Sequence, residues 1–126
     1  MLDVYAAAIE TNIHRCAVVV THSLNTVQLS PHTGYVEGEI TFIDGSRLVF
    51  FEFLRQTATH LDREKYRYHF MDVHNQLIFR YDDAPHYPGV ATSPHHKHLP
   101  TGVTDSSGPH FAEVLAEIEA HVLKIP

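Results

Sequence analysis

The sequence contains a single cysteine, Cys16, so no pair of thiols is available for an intrachain disulfide. One free thiol is typical of a protein that folds in a reducing compartment. Long apolar runs are also missing, and the N-terminus lacks a basic segment followed by an apolar one of the kind that directs export. These absences predict a cytoplasmic protein that makes no contact with a membrane.

Motifs of high predictive value are missing as well. The sequence has no glycine-rich phosphate loop, no CxxC or HExxH metal signature and no nucleophile elbow around a serine. A net charge of −6 with neutral histidines argues against a protein whose whole surface clamps nucleic acid. A local basic site stays open, because seven of the nine lysine and arginine residues lie between positions 47 and 97.

What is present suffices for one modest hydrophobic core. The 126 residues are 44% hydrophobic and 19% charged, and no linker rich in proline, glycine or serine divides them. Residues 1–126 therefore predict a single domain that folds alone or as a small homo-oligomer. The unusual count is histidine, which occurs twelve times, whereas tryptophan is absent.

Apolar residues recur at helical spacing near both ends of the chain. Residues 2 to 13 predict an amphipathic first helix, and the stretch that begins at Pro109 predicts a closing helix with this proline in its first turn. The apolar stripe of the closing helix comprises Phe111, Val114, Leu115, Ile118 and Val122.

Runs of strand type fill the interval between the helices. CAVVVTH at 16–22 predicts a strand and TVQL a weak second one, with Asn25 as a break between them. The polar stretch 56–64 predicts a loop or a short helical turn, and 101–109 predicts a flexible connector. The fold class is therefore predicted to be α+β: a mainly antiparallel sheet of about five strands, built from hairpins and flanked by an N-terminal and a C-terminal helix.

The clearest hairpin signal is Asp44-Gly45 between YVEGEITF and SRLVFFEFL. A three-residue loop with Gly45 in the left-handed conformation would put Ile40, Phe42, Leu48, Phe50 and Glu52 on one face. A two-residue turn would instead oppose Glu37 and Glu52, which repel each other, so the first register is preferred. It leaves Glu52 among apolar neighbours, where a carboxylate needs a partner or a raised pKa.

A second hairpin joins KYRYHFMD to QLIFRYDD through a turn near residues 73–75. Pairing Phe70 with Phe79 would set these residues opposite each other: Tyr68 and Tyr81, His69 and Arg80, Arg67 and Asp82. One face is then aromatic and the other ionisable. The ionisable face offers a base or acid and cations, which are the parts that metal-free RNA cleavage needs. The alternative is an Arg67–Asp82 ion pair beside a surface histidine, His69, whose hydrogen bonds are satisfied.

The loop APHYPGVATSPHHKH follows this hairpin and holds four histidines. The extended conformation favoured around proline would place His96 and His98 on the same side, where they could share a divalent metal ion such as zinc. His86 or Asp83 could complete the ligand set. Two alternatives stay open: a solvated loop that binds phosphate through Lys97 and protonated histidines, or histidines that pack and bond to backbone carbonyls.

The segments IDGSRLVFFEF, KYRYHFMD, LIFRYDDAPHYP and SPHHKH resemble, in this order, the TumE family of toxins from bacterial type II toxin–antitoxin systems. The resemblance covers roughly positions 35 to 125. The family's commoner form has D-N-A-P-H-H-P where this chain has DDAPHYP, so Asp83 and Tyr87 depart from it. The positions that match are Arg80, Asp82, His86, His96 and His98.

The resemblance implies a cytoplasmic toxin that is neutralised by a helix-turn-helix antitoxin of the TumA type. Nuclease action, on RNA rather than DNA, is the expectation for such a toxin. The candidate catalytic residues are His69, Glu52, Asp82, His96 and His98. The candidate substrate-binding residues are Arg67, Arg80, Lys97, Tyr68 and Tyr81, the tyrosines as platforms for unpaired bases. The candidate metal ligands are His86, His96 and His98. The alternative function is a non-catalytic binding module whose histidine-rich loop is a structural or metal-binding clasp.

Overall fold

The computed structural model describes residues 2–124 of the chain. Two helices flank seven strands. The elements are α1 (Leu2–Arg15), β1 (Val19–Ser30), β2 (Thr33–Phe42), β3 (Arg47–Gln56), β4 (Leu61–Met71), β5 (Leu77–Asp82), β6 (His96–Leu99), β7 (Gly102–Asp105) and α2 (Phe111–Val122). Neither helix in this part of the chain is long and apolar enough to cross a membrane.

The strands form one sheet in which spatial order follows chain order from β1 to β7, and all six pairings are antiparallel. This arrangement confirms the predicted α+β class with flanking helices, but the sheet has seven strands rather than about five. The extra strands, β6 and β7, lie in stretches that were predicted to be loops. Each has only four residues, too few for an alternating pattern to show in the sequence.

Three other features differ from the sequence prediction. The predicted break at Asn25 is wrong, because β1 runs through this residue, which pairs with Glu37 and donates a side-chain hydrogen bond to it at 3.3 Å. The predicted loop at 56–64 shrinks to 57–60, because residues 61–64 join β4 and pair with β3. Pro109 precedes α2 instead of lying in its first turn, since His110 caps the helix.

Both helices pack against the same side of the sheet, here called the inner face. Phe111 of α2 contacts Phe50 with 4.9 Å between ring centroids, and Tyr5 of α1 donates a hydrogen bond to Glu52 of β3. The predicted register of the Asp44-Gly45 hairpin is confirmed. Gly45 has φ = 83°, and Ile40 pairs with Leu48, so the loop has three residues.

The opposite side of the sheet, the outer face, carries neither helix. The predicted register of the β4–β5 hairpin is also confirmed, and it aligns outer-face side chains in rows that cross the strands. One row comprises Phe51, Arg67, Asp82 and His96, and the next comprises Val49, His69, Arg80 and His98. These two rows bring the ionisable residues of three strands together.

Candidate functional site

Three side chains meet on the outer face where β5 pairs with β6. Asp82 and His96 are direct partners in this pairing, and His98 points to the same face because it lies two residues along β6. His96 Nε2 lies 2.8 Å from Asp82 Oδ1 and 3.1 Å from His98 Nε2. His98 Nε2 lies 3.5 Å from Asp82 Oδ2. These residues are called the Asp82–His96–His98 cluster below.

The His96 ring is fixed by its surroundings. Its Nδ1 lies 2.9 Å from the carbonyl oxygen of Pro94, which can only accept, so Nδ1 carries a hydrogen and donates it. The Tyr87 ring packs on both imidazoles, with centroid distances of 4.9 Å to His96 and 5.4 Å to His98. His96 is only 1% exposed, whereas His98 is half-buried. The sequence prediction that these two histidines share one side is therefore confirmed.

The Asp82 carboxylate is held by the strand and turn around it. Arg80 Nε donates to Oδ2 at 3.0 Å, and the backbone N–H of Ala84 donates to Oδ1 at 3.1 Å. Both contacts fix the orientation of the carboxylate group. The ion pair proposed between Arg67 and Asp82 is not found within residues 2–124, because Arg80 takes that place.

His69 lies beside Arg80 in the second row, and its Nδ1 is buried without a hydrogen-bond partner. The interpretation of His69 as a satisfied surface residue is therefore wrong. Burial lowers the pKa of His69, and the charges of Arg80 and His98 lower it further. Burial also lowers the pKa of His98, although the Asp82 carboxylate opposes this shift. Lowered pKa values keep both imidazoles neutral near pH 7.

A cleft of about 660 Å³ opens next to the cluster, and Lys65, Arg67, Arg80 and Asp82 are among the residues that line it. Within residues 2–124, Lys65 and Arg67 have no carboxylate within salt-bridge distance, and both are exposed. Arg67 lies over the ring of Phe51, with 5.1 Å between the guanidinium carbon and the ring centroid. The cleft therefore contains two cations, Lys65 and Arg67, that form no salt bridge within residues 2–124, and they lie beside the aromatic ring of Phe51.

Three predicted substrate-binding residues lie on the inner face, away from this cleft. Tyr68 is 0% exposed, which leaves no surface on which a base could stack. Tyr81 is also buried and donates a hydrogen bond to Glu117 at 2.6 Å. Lys97 binds the same carboxylate at 2.9 Å and lies over the Tyr81 ring. Tyr81 and Lys97 thus tie the sheet to α2 through Glu117, whereas the Tyr68 hydroxyl accepts a hydrogen bond from Arg63 at 2.8 Å.

Glu52, a predicted catalytic residue, also lies on the inner face and is 0% exposed. Its Oε1 accepts a hydrogen bond from the Tyr5 hydroxyl, and its Oε2 has no partner. Burial raises the pKa of Glu52, and this effect outweighs the hydrogen bond from Tyr5 and the nearby Arg63 charge. Glu52 thus has a hydrogen-bond partner and a raised pKa, the two possibilities expected for a carboxylate at this sequence position. It does not reach the cleft.

The predicted metal ligands are only partly brought together. His96 and His98 converge, but within residues 2–124 the third member of their cluster is Asp82, and His86 is an exposed residue that lines the cleft. The sequence analysis did not assign a role to Lys65 or Phe51. Strand alternation in VFFEFL, with Glu52 placed inward, could have indicated that Phe51 faces outward.

Comparison with known proteins decides the family. The family model described as toxin TumE matches residues 9–122, which is most of the chain. This chain belongs to the TumE toxin family. The match begins within α1, so it extends further towards the N-terminus than the resemblance from motifs alone. No curated protein sequence and no solved structure matches this TumE-family chain.

Proposed function

We propose that this TumE-family toxin is a nuclease that cleaves RNA in preference to DNA in the outer-face cleft. The observation that carries the proposal is the position of two free cations, Lys65 and Arg67, in one cleft with Asp82 of the Asp82–His96–His98 cluster. Cations attract the phosphates of a nucleic acid, and imidazoles supply acid and base groups. Both functions occur here within a few side chains of each other.

Each group has a proposed role in this reaction. Arg67 and Lys65 bind phosphates, and the Phe51 ring beneath Arg67 offers a platform for an unpaired base. His69 acts as the base for the ribose 2′-hydroxyl, whose oxygen attacks the adjacent phosphorus while the bond to the 5′-oxygen breaks and that oxygen takes a proton from solvent. This reaction requires RNA, because DNA lacks the 2′-hydroxyl nucleophile. Arg80 orients Asp82 and adds positive charge beside the phosphate.

The family also implies an antitoxin that neutralises the toxin. We expect a helix-turn-helix protein of the TumA type, acting with the toxin in the cytoplasm. A segment of such a partner could enter the cleft and place carboxylates against Lys65 and Arg67, which would occupy the proposed phosphate positions. Neutralisation would then be competition for the same two cations.

The test uses purified, antitoxin-free protein incubated with total RNA and with single-stranded DNA. His69→Ala is expected to abolish RNA cleavage. Arg67→Ala is expected to weaken RNA binding and to reduce the slope of log affinity against log salt by about one. Arg47→Ala is the matched control, because Arg47 pairs with Glu39 and neither residue lines the cleft. Equal losses in the Arg67 and Arg47 variants would contradict the proposed phosphate site.

A second candidate function is a binding module without turnover. It is favoured by the way the histidine-rich loop is clasped to the sheet: Tyr66 and His95 share a hydrogen bond of 2.8 Å and stack at 5.8 Å. Thr92 Oγ1 donates to the His95 carbonyl oxygen and accepts from the Ser106 N–H, each at 2.8 Å. No cleavage by protein that still arrests growth would favour this function.

A further inference from the structure

The Asp82–His96–His98 cluster brings possible metal-ligand atoms of three residues together at its centre. The carbonyl of Pro94 takes the hydrogen on His96 Nδ1, which directs Nε2 towards the cluster. His96 Nε2 lies 2.8 Å from Asp82 Oδ1 and 3.1 Å from His98 Nε2. A hydrogen on either Nε2 could point to only one neighbouring atom, whereas a metal cation at the centre would contact all three residues.

We propose that Asp82, His96 and His98 are the ligands of one divalent transition-metal ion of the Zn²⁺ type. Two imidazoles and one carboxylate are a ligand set that suits Zn²⁺ and related first-row ions. One ligand atom from each residue lies within 4.8 Å of the ligand atoms of the other two. The site is therefore formed by three residues that approach it from two paired strands.

The distances between the ligand atoms suit such an ion. In a tetrahedral site with bonds of ~2.1 Å, ligand atoms lie ~3.4 Å apart. Here His96 Nε2 lies 2.8 Å from Asp82 Oδ1 and 3.1 Å from His98 Nε2, and the ligand atoms of all three residues lie within 4.8 Å of one another. Shifts of a few tenths of an ångström at the side-chain tips, without movement of the strands, would give the tetrahedral spacing around His96. Three protein ligands leave a fourth position, the arrangement found where a metal binds water or substrate.

The residues around the cluster orient its ligands. His96 Nδ1 donates to the Pro94 carbonyl, the kind of contact that fixes the tautomer of a metal-binding histidine. The Ala84 N–H and Arg80 Nε hold the carboxylate on its two oxygens. Arg80 occupies Oδ2, so Oδ1, which faces His96, is the oxygen assigned to the metal.

A second group of similar composition provides an internal control. Glu10, His14 and His22 also place ligand atoms within 4.8 Å of one another. Exposure makes this group the weaker site, because the His14 side chain is 72% exposed. Exposed side chains lose more conformational freedom when they bind an ion, so the first cluster should bind the metal more tightly.

Metal binding at the Asp82–His96–His98 cluster is independent of RNA cleavage and can be measured on protein without substrate. A metal-binding protein that fails to cleave RNA would contradict the proposed nuclease and leave the metal site intact. A protein that cleaves RNA but binds no metal would contradict the metal site and leave the proposed nuclease activity intact.

The test is titration of purified, chelator-treated protein with Co²⁺, monitored by visible d–d absorption, followed by competition with Zn²⁺ and by melting curves with and without chelator. We expect one ion per chain and a higher melting temperature in the metal-bound form. His98→Ala should lower the affinity by about 100-fold or more, because loss of even an indirect contact costs 10- to 100-fold. The half-buried position of His98 makes this variant the least disruptive to folding.

Asp82→Asn is the second variant, and the His14→Ala, His22→Ala double variant is the matched control. The proposal requires that both cluster variants lose the Co²⁺ spectrum while the control retains it. Absence of binding to the unaltered protein would overturn it. Unchanged affinity in folded His98→Ala, or loss of the spectrum in the control alone, would also overturn it.

Discussion

Asp82 and Glu52 are both buried carboxylates, and they lie on opposite faces of the same sheet. Asp82 is 5% exposed and Glu52 is 0% exposed, so solvent exposure alone hardly separates them. Their partners differ. Asp82 receives hydrogen bonds from Arg80 and from the backbone N–H of Ala84, whereas Glu52 receives one from the neutral Tyr5 hydroxyl.

The difference in partners has a physical consequence. A buried carboxylate keeps its charge when cations and N–H groups replace water around it, and otherwise it holds a proton. Burial raises the pKa of Glu52, and its Oε2 has no hydrogen-bond partner within residues 2–124. Access differs too, since Asp82 lines the cleft while Glu52 lies beneath α1. Charged hydrogen-bond partners and access to a cleft therefore indicate a functional carboxylate, whereas burial alone does not.

The sharpest test of this comparison replaces each carboxylate with its isosteric amide. Asp82→Asn should lower RNA cleavage by about 100-fold or more, since it removes the charge that holds the proposed site together. Glu52→Gln should leave the cleavage rate within about twofold, because Glu52 does not reach the cleft. Rates are measured on both variants after melting curves confirm folding. A large loss in folded Glu52→Gln would return a catalytic role to that residue.

A smaller effect is expected when the hydrogen bond from Tyr5 to Glu52 is removed. Tyr5→Phe deletes the hydroxyl that donates to Glu52 Oε1 in the core, which should lower the free energy of unfolding by about 1–3 kcal/mol. Denaturant unfolding measures this change. Tyr35→Phe is the matched control, because its hydroxyl makes no hydrogen bond within residues 2–124, and its effect should be near zero. Equal stability of the two variants would show that the Tyr5 contact is not stabilising.

Much of the fold and half of the site follow from the sequence for identifiable reasons. The register of both hairpins could be predicted because Asp44-Gly45 fixes one turn and aromatic alternation fixes the other. Those registers align Arg67, His69, Arg80 and Asp82 on one face. The proximity of His96 to His98 follows from their spacing on an extended segment.

The part of the site that the sequence does not predict depends on which segments pair in the folded sheet. The sequence places His96 in a proline-rich loop and gives no sign that the segment pairs with β5, so the choice of Asp82 over His86 could not be made. The positions of Tyr81 and Lys97 likewise depend on the second helix, whose Glu117 binds both. A pattern of alternating residues predicts which side chains share a face, but it does not predict which face a helix will cover.

The last contrast between the carboxylates is in pH dependence. Because the folded state raises the pKa of Glu52, folding takes up a proton between the ordinary pKa of a glutamate and this raised value. The contribution of this proton to the free energy of unfolding is complete below the ordinary pKa and is lost as the pH rises through the raised pKa. For a single group, the free energy of unfolding changes by no more than about 1.4 kcal/mol per pH unit. Glu52→Gln cannot titrate, so it should gain stability relative to the unaltered protein as the pH increases across this interval. Denaturant unfolding of both proteins between pH 4 and 9 measures the difference. A constant difference would mean that Glu52 ionises in the folded core as easily as in the unfolded chain, and the contrast with Asp82 would then rest on access alone.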